Sequence, residues 1–419
     1  MAATLDTQTL SIPSIVFAVT HPTQIPKEKY AHMKSRILIT LILVAVLLSS
    51  LLSACKPAEP ETIKIGNLVA LTGPSATWGQ SENNALMLAV EKINAAGGID
   101  GKKIEIIAYD SRADKLEAVN VVKRMVEQDK VVAIIGPGQS GVANAVREVN
   151  NSAKVPLIAT TATNPKVTVA DDGTVVPFTF RVCFIDPFQG TVAGQFALKD
   201  LGAKKAATLY DIGDEYSQFL SKYFVEAFEK GGGTITASEA FRSGELDFRA
   251  QLGKIKEGNP DVIFIPTMQK EAALAAKQAR DLGITATLIG GDGWGSPDIF
   301  DLAGPAIEGA YFVNLAAMED PTIQDFLKDY RAKYGADPVL PNPLMSYDAM
   351  LWLADAIKRA GSTDGTALRD ALAATKDLQV LTGILTIDPS NHNPLNKPAV
   401  IQQCKDGKFT YVKTFVTTD

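Results

Sequence analysis

The chain has 419 residues, 46% hydrophobic and 21% charged, with a formal net charge of −6. That length and apolar content predict two globular bodies with sizeable cores, and the acidic balance argues against a nucleic-acid partner, which needs a basic face. Only His21, His32 and His392 are available as imidazoles, so nucleophile–histidine and multi-histidine zinc centres are hard to build, and neither an enzyme nor a cofactor is expected.

Residues 1–32 contain Pro13, Pro22 and Pro26 and no sustained period. They read as an upstream extension, with translation starting at Met33. A basic patch at Lys34 and Arg36 leads into Ile37–Leu52, apolar apart from Thr40, Ser49 and Ser50. The run is short for a spanning helix, which needs about 20 residues, and suits the core of a signal peptide. It ends Leu52-Ser53-Ala54-Cys55, which resembles the bacterial lipobox. The resemblance implies a lipoprotein signal peptide over 33–54, lipidation of Cys55 and a body held outside the cytoplasm on a membrane. An uncleaved anchor helix is the alternative. Residues 55–61 form a Pro/Glu linker.

From there strands and helices alternate. Ile63–Ala70 is a strand, followed by a turn-rich loop through Trp78 and a helix stopped at Gly97-Gly98. Lys103–Asp110 is a strand, and Val119, Val122 and Val126 mark a helix. Val131–Ile135 is a buried strand that enters Gly136-Pro137-Gly138-Gln139-Ser140-Gly141 and then a helix with Val142, Ala145, Val146 and Val149 on one face. Val155–Ala159 is a strand ending in Thr160-Thr161-Ala162-Thr163. After a crossover near Pro187 the rhythm restarts with strands at Ala206, Thr234, Asp261 and Thr287, separated by helices. Helices follow over 323–334, 346–360 and 366–374, and a hairpin turns at Asp406-Gly407. The expected fold is α/β, two doubly wound Rossmann-like lobes.

The glycine loop after Ile135 matches G-x-G-x-x-G, so a dinucleotide is one reading. It follows the third strand rather than the first, and the region that should carry a ribose-binding acid reads Thr160–Thr163. The missing Gly-Lys-Ser/Thr excludes a Walker loop. A tight turn with no ligand is a second reading, and a small-anion cradle a third. In the third, Ser140 and Thr163 supply hydroxyl donors and the helix start supplies N–H groups to a carboxylate.

Leu71-Thr-Gly-Pro-Ser-Ala-Thr-Trp-Gly, Glu91–Gly101, Ile135–Ser140, Ala159–Pro165, Phe180–Asp186, Lys277–Gly283 and Gly290-Gly-Asp-Gly-Trp together resemble the leucine/isoleucine/valine-binding lipoproteins of branched-chain amino acid ABC importers. The resemblance implies a type I periplasmic-binding fold with a three-crossover hinge. Lobe 1 would take 62–185 and 315–395, and lobe 2 would take 186–314 and 396–419. The lobes would close on an amino acid, branched-chain or otherwise apolar, and deliver it to ABC permease and ATPase subunits. By motif, Ser140 and Thr163 would bind the ligand carboxylate. The Thr161 carbonyl would help hold the ammonium and Asp292 would neutralise it. Trp78 and Tyr216 would line the cleft. Met268 stands where the family has tyrosine, offering a flexible apolar wall instead of a hydroxyl. Plainer roles remain open: helix caps for Ser140 and Thr163, a turn for Asp292, packing for Trp78 and Tyr216. Another small polar solute (an amide, urea or an aromatic acid) and a sensory receptor domain are the alternative functions. Cys183 and Cys404 are read as two buried thiols, a disulfide being the alternative.

Overall fold

A computed structural model of the protein describes residues 62–416. The upstream extension, the signal peptide, Cys55 and the linker therefore lie outside the described residues.

The first sheet is built from β1 (Ile63–Val69), β2 (Ile104–Asp110), β3 (Ala133–Ile135), β4 (Leu157–Ala159) and β5 (Thr179–Arg181), with helices α1 (Ala76–Ala95), α2 (Lys115–Arg124) and α3 (Ser140–Ser152) between them. All its pairings are parallel, in the order β2-β1-β3-β4-β5. Parallel strands need helical crossovers, and those helices cover both faces. β3 shows the result in three residues. Ala133 and Ile135 enter one apolar cluster, while Ile134 enters the cluster on the opposite face.

The chain then leaves this sheet and builds a second. It runs α4 (Asp186–Gln195), β6 (Lys205–Asp211), α5 (Glu215–Lys230), β7 (Thr234–Phe241), α6 (Arg249–Glu257), β8 (Val262–Phe264), α7 (Gln269–Asp281), β9 (Thr287–Gly290), α8 (Asp298–Ala303) and β10 (Tyr311–Asn314). Its parallel part is ordered β7-β6-β8-β9-β10, which repeats the first sheet's topology with β6 in the place of β1. Val262 and Phe264 of β8 face one cluster and Ile263 the other. Phe264 stacks on Phe224 of α5, ring centroids 4.3 Å apart.

The chain returns to the first sheet with α9 (Gln324–Tyr334) and α10 (Asn342–Ala360), which pack on α1. Helix α11 (Gly365–Ala373) and the short strands β11 (Leu378–Val380), β12 (Gly383–Leu385), β13 (Ile387–Asp388) and β14 (Asn393–Pro394) complete this side. A third passage leads to β15 (Ala399–Lys405) and β16 (Lys408–Phe415), an antiparallel hairpin added beside β10. Cys183 and Cys404 are free, buried thiols in different apolar clusters. His392 is buried and stacks on Phe180 with centroids 4.0 Å apart.

Both sheets thus have the order 2-1-3-4-5. In such a sheet the loops after strands 1 and 3 diverge to opposite faces and leave a crevice at the strands' carboxyl ends. Two crevices are built this way, one per lobe, and they face each other.

Candidate functional site

A cavity of about 340 Å³ lies between the two crevices. The first lobe lines it with the loop after β1, through Ser75 and Trp78, and the loop after β3, through Gly138 and Ser140. The second lobe contributes Asp214 and Tyr216 after β6, Met268 after β8 and Asp292 after β9. The size is at the lower end for a small-molecule site.

The first-lobe wall is rich in donors. Gly136 has φ of +91°, and a Cβ there would lie 2.2 Å from the Leu68 carbonyl oxygen. The loop passes that close to β1 only because no side chain is present. Ser140 then opens α3. Its Oγ accepts the Asn164 N–H at 3.2 Å, which fixes the oxygen and leaves its proton to donate. Ser140, Gly141 and Val142 line the cavity, and their N–H groups are among those a helix leaves unpaired in its first turn. Hydroxyl proton, free N–H groups and helix dipole all favour an anion here.

The second-lobe wall is acidic. Asp292 is buried, and its Oδ1 accepts from Gln189 Nε2 at 2.8 Å and from Tyr216 Oη at 2.9 Å. Burial pushes its carboxyl above the ordinary range, opposed by these two donors and by the N–H groups of Asp292 and Gly293. The Tyr216 hydroxyl also accepts the Gly293 N–H at 3.3 Å, so ring and acid are held as one unit. Burial raises the Tyr216 hydroxyl further, with the Asp292 charge adding to it. Asp211 is held by Ser243 Oγ at 2.6 Å and by the Gly213 N–H at 2.7 Å. Asp214 caps α5, and burial pushes its carboxyl up to about 6.

Side chains cross between the lobes. Trp78 Nε1 donates to Gln269 Oε1 at 3.0 Å, with both residues buried. Lys115 of α2 pairs with Glu215 of α5 at 2.9 Å, and Thr77 Oγ1 donates to Asp298 at 3.2 Å.

Of the residues singled out in the sequence, Trp78, Ser140, Thr161, Tyr216, Met268 and Asp292 share this one cavity. Thr163 does not line it. The residue is fully buried, one layer behind the wall, because its carbonyl accepts the Asp186 N–H at 2.9 Å and draws the loop toward α4. Four residues went unread. Gln189 holds Asp292, and Gln269 reaches Trp78. Asn342, at the start of α10, lines the cavity and donates to Glu82 Oε2 at 3.5 Å. Glu82 also accepts from Thr160 Oγ1, and burial pushes its carboxyl up to about 7. Glu82 alone had a signal. It falls on the buried face of α1, four residues after Trp78 and three before Ala85. Among the described residues no cluster of His, Cys, Asp and Glu is arranged to hold a metal ion, and no helix is long and apolar enough to cross a membrane.

A family model described as a periplasmic binding protein matches residues 62–408. A Leu/Ile/Val-binding protein homologue of Brucella melitensis is 31% identical over 350 residues, covering 83% of this chain and 92% of that protein. A leucine-binding protein from Thermotoga maritima superposes with a TM-score of 0.78 at 34% identity, covering 84% of this chain and 98% of that one. A branched-chain amino acid transporter substrate-binding protein from Streptococcus pneumoniae, solved with isoleucine, gives 0.77 at 33% identity, covering 85% and 99%.

Proposed function

The chain belongs to the periplasmic binding protein family, and on that premise we propose that it captures a free amino acid, branched-chain or otherwise apolar, for an ABC importer. The carrying observation is the split of the cavity wall. One lobe presents donors at Ser140 and the start of α3, and the other presents the buried acid Asp292. A zwitterion needs both, because each of its charges must be paired when it leaves water. In this reading Ser140 and the α3 N–H groups hold the carboxylate, and Asp292 with the Thr161 carbonyl holds the ammonium. Thr163 supports the carboxylate loop from behind. Trp78, Tyr216 and Met268 enclose the side chain. Neither lobe makes both sets of contacts alone, so ligand favours the closed arrangement. Export as a lipoprotein anchored through Cys55, and hand-over to permease and ATPase subunits, complete the proposal.

Equilibrium binding of the unsubstituted protein and Asp292→Ala to radiolabelled amino acids tests it. Removing the buried acid assigned to the ammonium should weaken binding about thirtyfold or more, from the 2–5 kcal/mol typical of breaking a buried charge pair. Unchanged affinity would remove Asp292 from the site. A plain carboxylic acid such as benzoate is disfavoured, because its ring would be pressed against the Asp292 carboxylate.

A further inference from the structure

The first lobe grips the start of α5 at a place the cavity wall does not use. Asn164, in the loop after β4, is fully buried and does not line the cavity. All of its polar groups are nevertheless committed. Within the first lobe its N–H donates to Ser140 Oγ at 3.2 Å, its Oδ1 accepts the Lys166 N–H at 2.9 Å, and its carbonyl accepts from Arg181 Nη2 at 2.8 Å. The remaining bond crosses to the second lobe, where Asn164 Nδ2 donates to the Glu215 carbonyl at 3.2 Å.

Glu215 is the first residue of α5. Its carboxylate also meets the first lobe, accepting from Lys115 at 2.9 Å and from Asn144 Nδ2. That side chain is partly exposed and long enough to follow its partners as the lobes part. A main-chain carbonyl on a helix has no such freedom, so the Asn164 bond fixes one separation. The next residue, Tyr216, lines the cavity and donates to Asp292. A route of hydrogen bonds therefore runs from Ser140 through Asn164 to Glu215, along one peptide to Tyr216, and on to Asp292. It joins the carboxylate pole of the site to the ammonium pole without passing through the ligand.

We propose that Asn164 is a positioning residue that couples the carboxylate end of the site to lobe closure. Its N–H fixes the Ser140 oxygen, and its side chain holds the first turn of α5 where one amino acid spans both walls. The inference rests on the amino acid reading above. Only the closed arrangement makes the Asn164–Glu215 bond, so the bond stabilises that arrangement and slows escape of the ligand. Encounter precedes closure and is not affected, so the change falls on dissociation.

Stopped-flow tryptophan fluorescence on the full chain reads the two rates separately. The ligand is the amino acid that binds most tightly, starting with L-leucine. Asn164→Ser keeps the N–H and an oxygen able to accept within the same turn, but is too short to reach Glu215. It should speed dissociation about three- to tenfold, from the worth of one neutral hydrogen bond, and leave association within about twofold. Asn164→Asp, of the same size, sets an acceptor against the Glu215 carbonyl and should release the ligand at least as fast, which serves if Asn164→Ser does not fold. In a Ser140→Ala background, where the Asn164 N–H has lost its acceptor, the effect of Asn164→Ser should shrink to less than about twofold. The same factor in both backgrounds overturns the coupling to Ser140. A lower unfolding temperature with unchanged dissociation would make Asn164 a turn-former only and overturns the proposal, as does a loss confined to association. If the unsubstituted protein binds no amino acid, the reading beneath fails and takes this proposal with it. If it binds one and both variants release it at the unsubstituted rate, the proposal alone fails.

Discussion

At the scale of single residues, two side chains carry predictions beyond Asp292. Ser140 is fixed by the Asn164 N–H so that its proton points elsewhere. Hydrogen bonds to a charged group contribute roughly 1.5–3 kcal/mol, so Ser140→Ala should weaken amino acid binding by about ten- to a hundredfold, and it should also lower the unfolding temperature because the buried Asn164 N–H loses its acceptor. Parallel calorimetry and thermal denaturation check this. Glu82 is different, because it is an acid buried without a cation. Its carboxyl titrates near 7 when folded, above its ordinary value. The folded chain therefore holds that proton more tightly than the unfolded one. This contribution favours folding at low pH and is lost as pH rises from the ordinary value through about 7. Glu82→Gln should raise stability at pH 8 by on the order of 2 kcal/mol relative to its effect at pH 5. Urea unfolding at the two pH values reads it, and an equal effect at both would show that Glu82 does not titrate in that window.

At the scale of elements, the glycine loop between β3 and α3 is the tightest constraint. Gly136→Ala brings a side chain against the Leu68 carbonyl at positive φ. It should destabilise the protein by about 2 kcal/mol or more, measured by denaturant unfolding. This loop was legible in the sequence because glycines and a β-branched run are local signals. So was the alternation of strands and helices in both lobes. Some short elements were not. β10 is only four residues, Tyr311–Asn314, and joins the sheet through neighbours far along the chain. Spacing starts α10 at Ser346, whereas it starts at Asn342, because Pro343 falls within the first turn, where its missing N–H is harmless. The site was legible to the same degree. Ser140 and Asp292 sit in recognisable loops, but Gln189 meets Asp292 across 103 positions and Gln269 meets Trp78 across 191. No periodicity encodes such pairings.

At the scale of the whole molecule, two lobes of one topology meet across a cavity with donors on one side and acids on the other. The bonds that cross differ in weight. Lys115–Glu215 is half-exposed and contributes at most about 1 kcal/mol. Trp78–Gln269 is buried and loses its acceptor outright in Gln269→Leu. That variant should release ligand several-fold faster, as seen by stopped-flow tryptophan fluorescence, whereas Lys115→Met should change the rate little. Equal effects would mean that the buried bond does not hold the lobes together. The central claim is that the divided wall selects a zwitterion, and titration calorimetry of the protein against the twenty amino acids, benzoate and urea tests it most directly. One or more apolar amino acids binding one to one, with benzoate and urea silent, is the predicted result. Benzoate or urea binding while every amino acid is silent would contradict it.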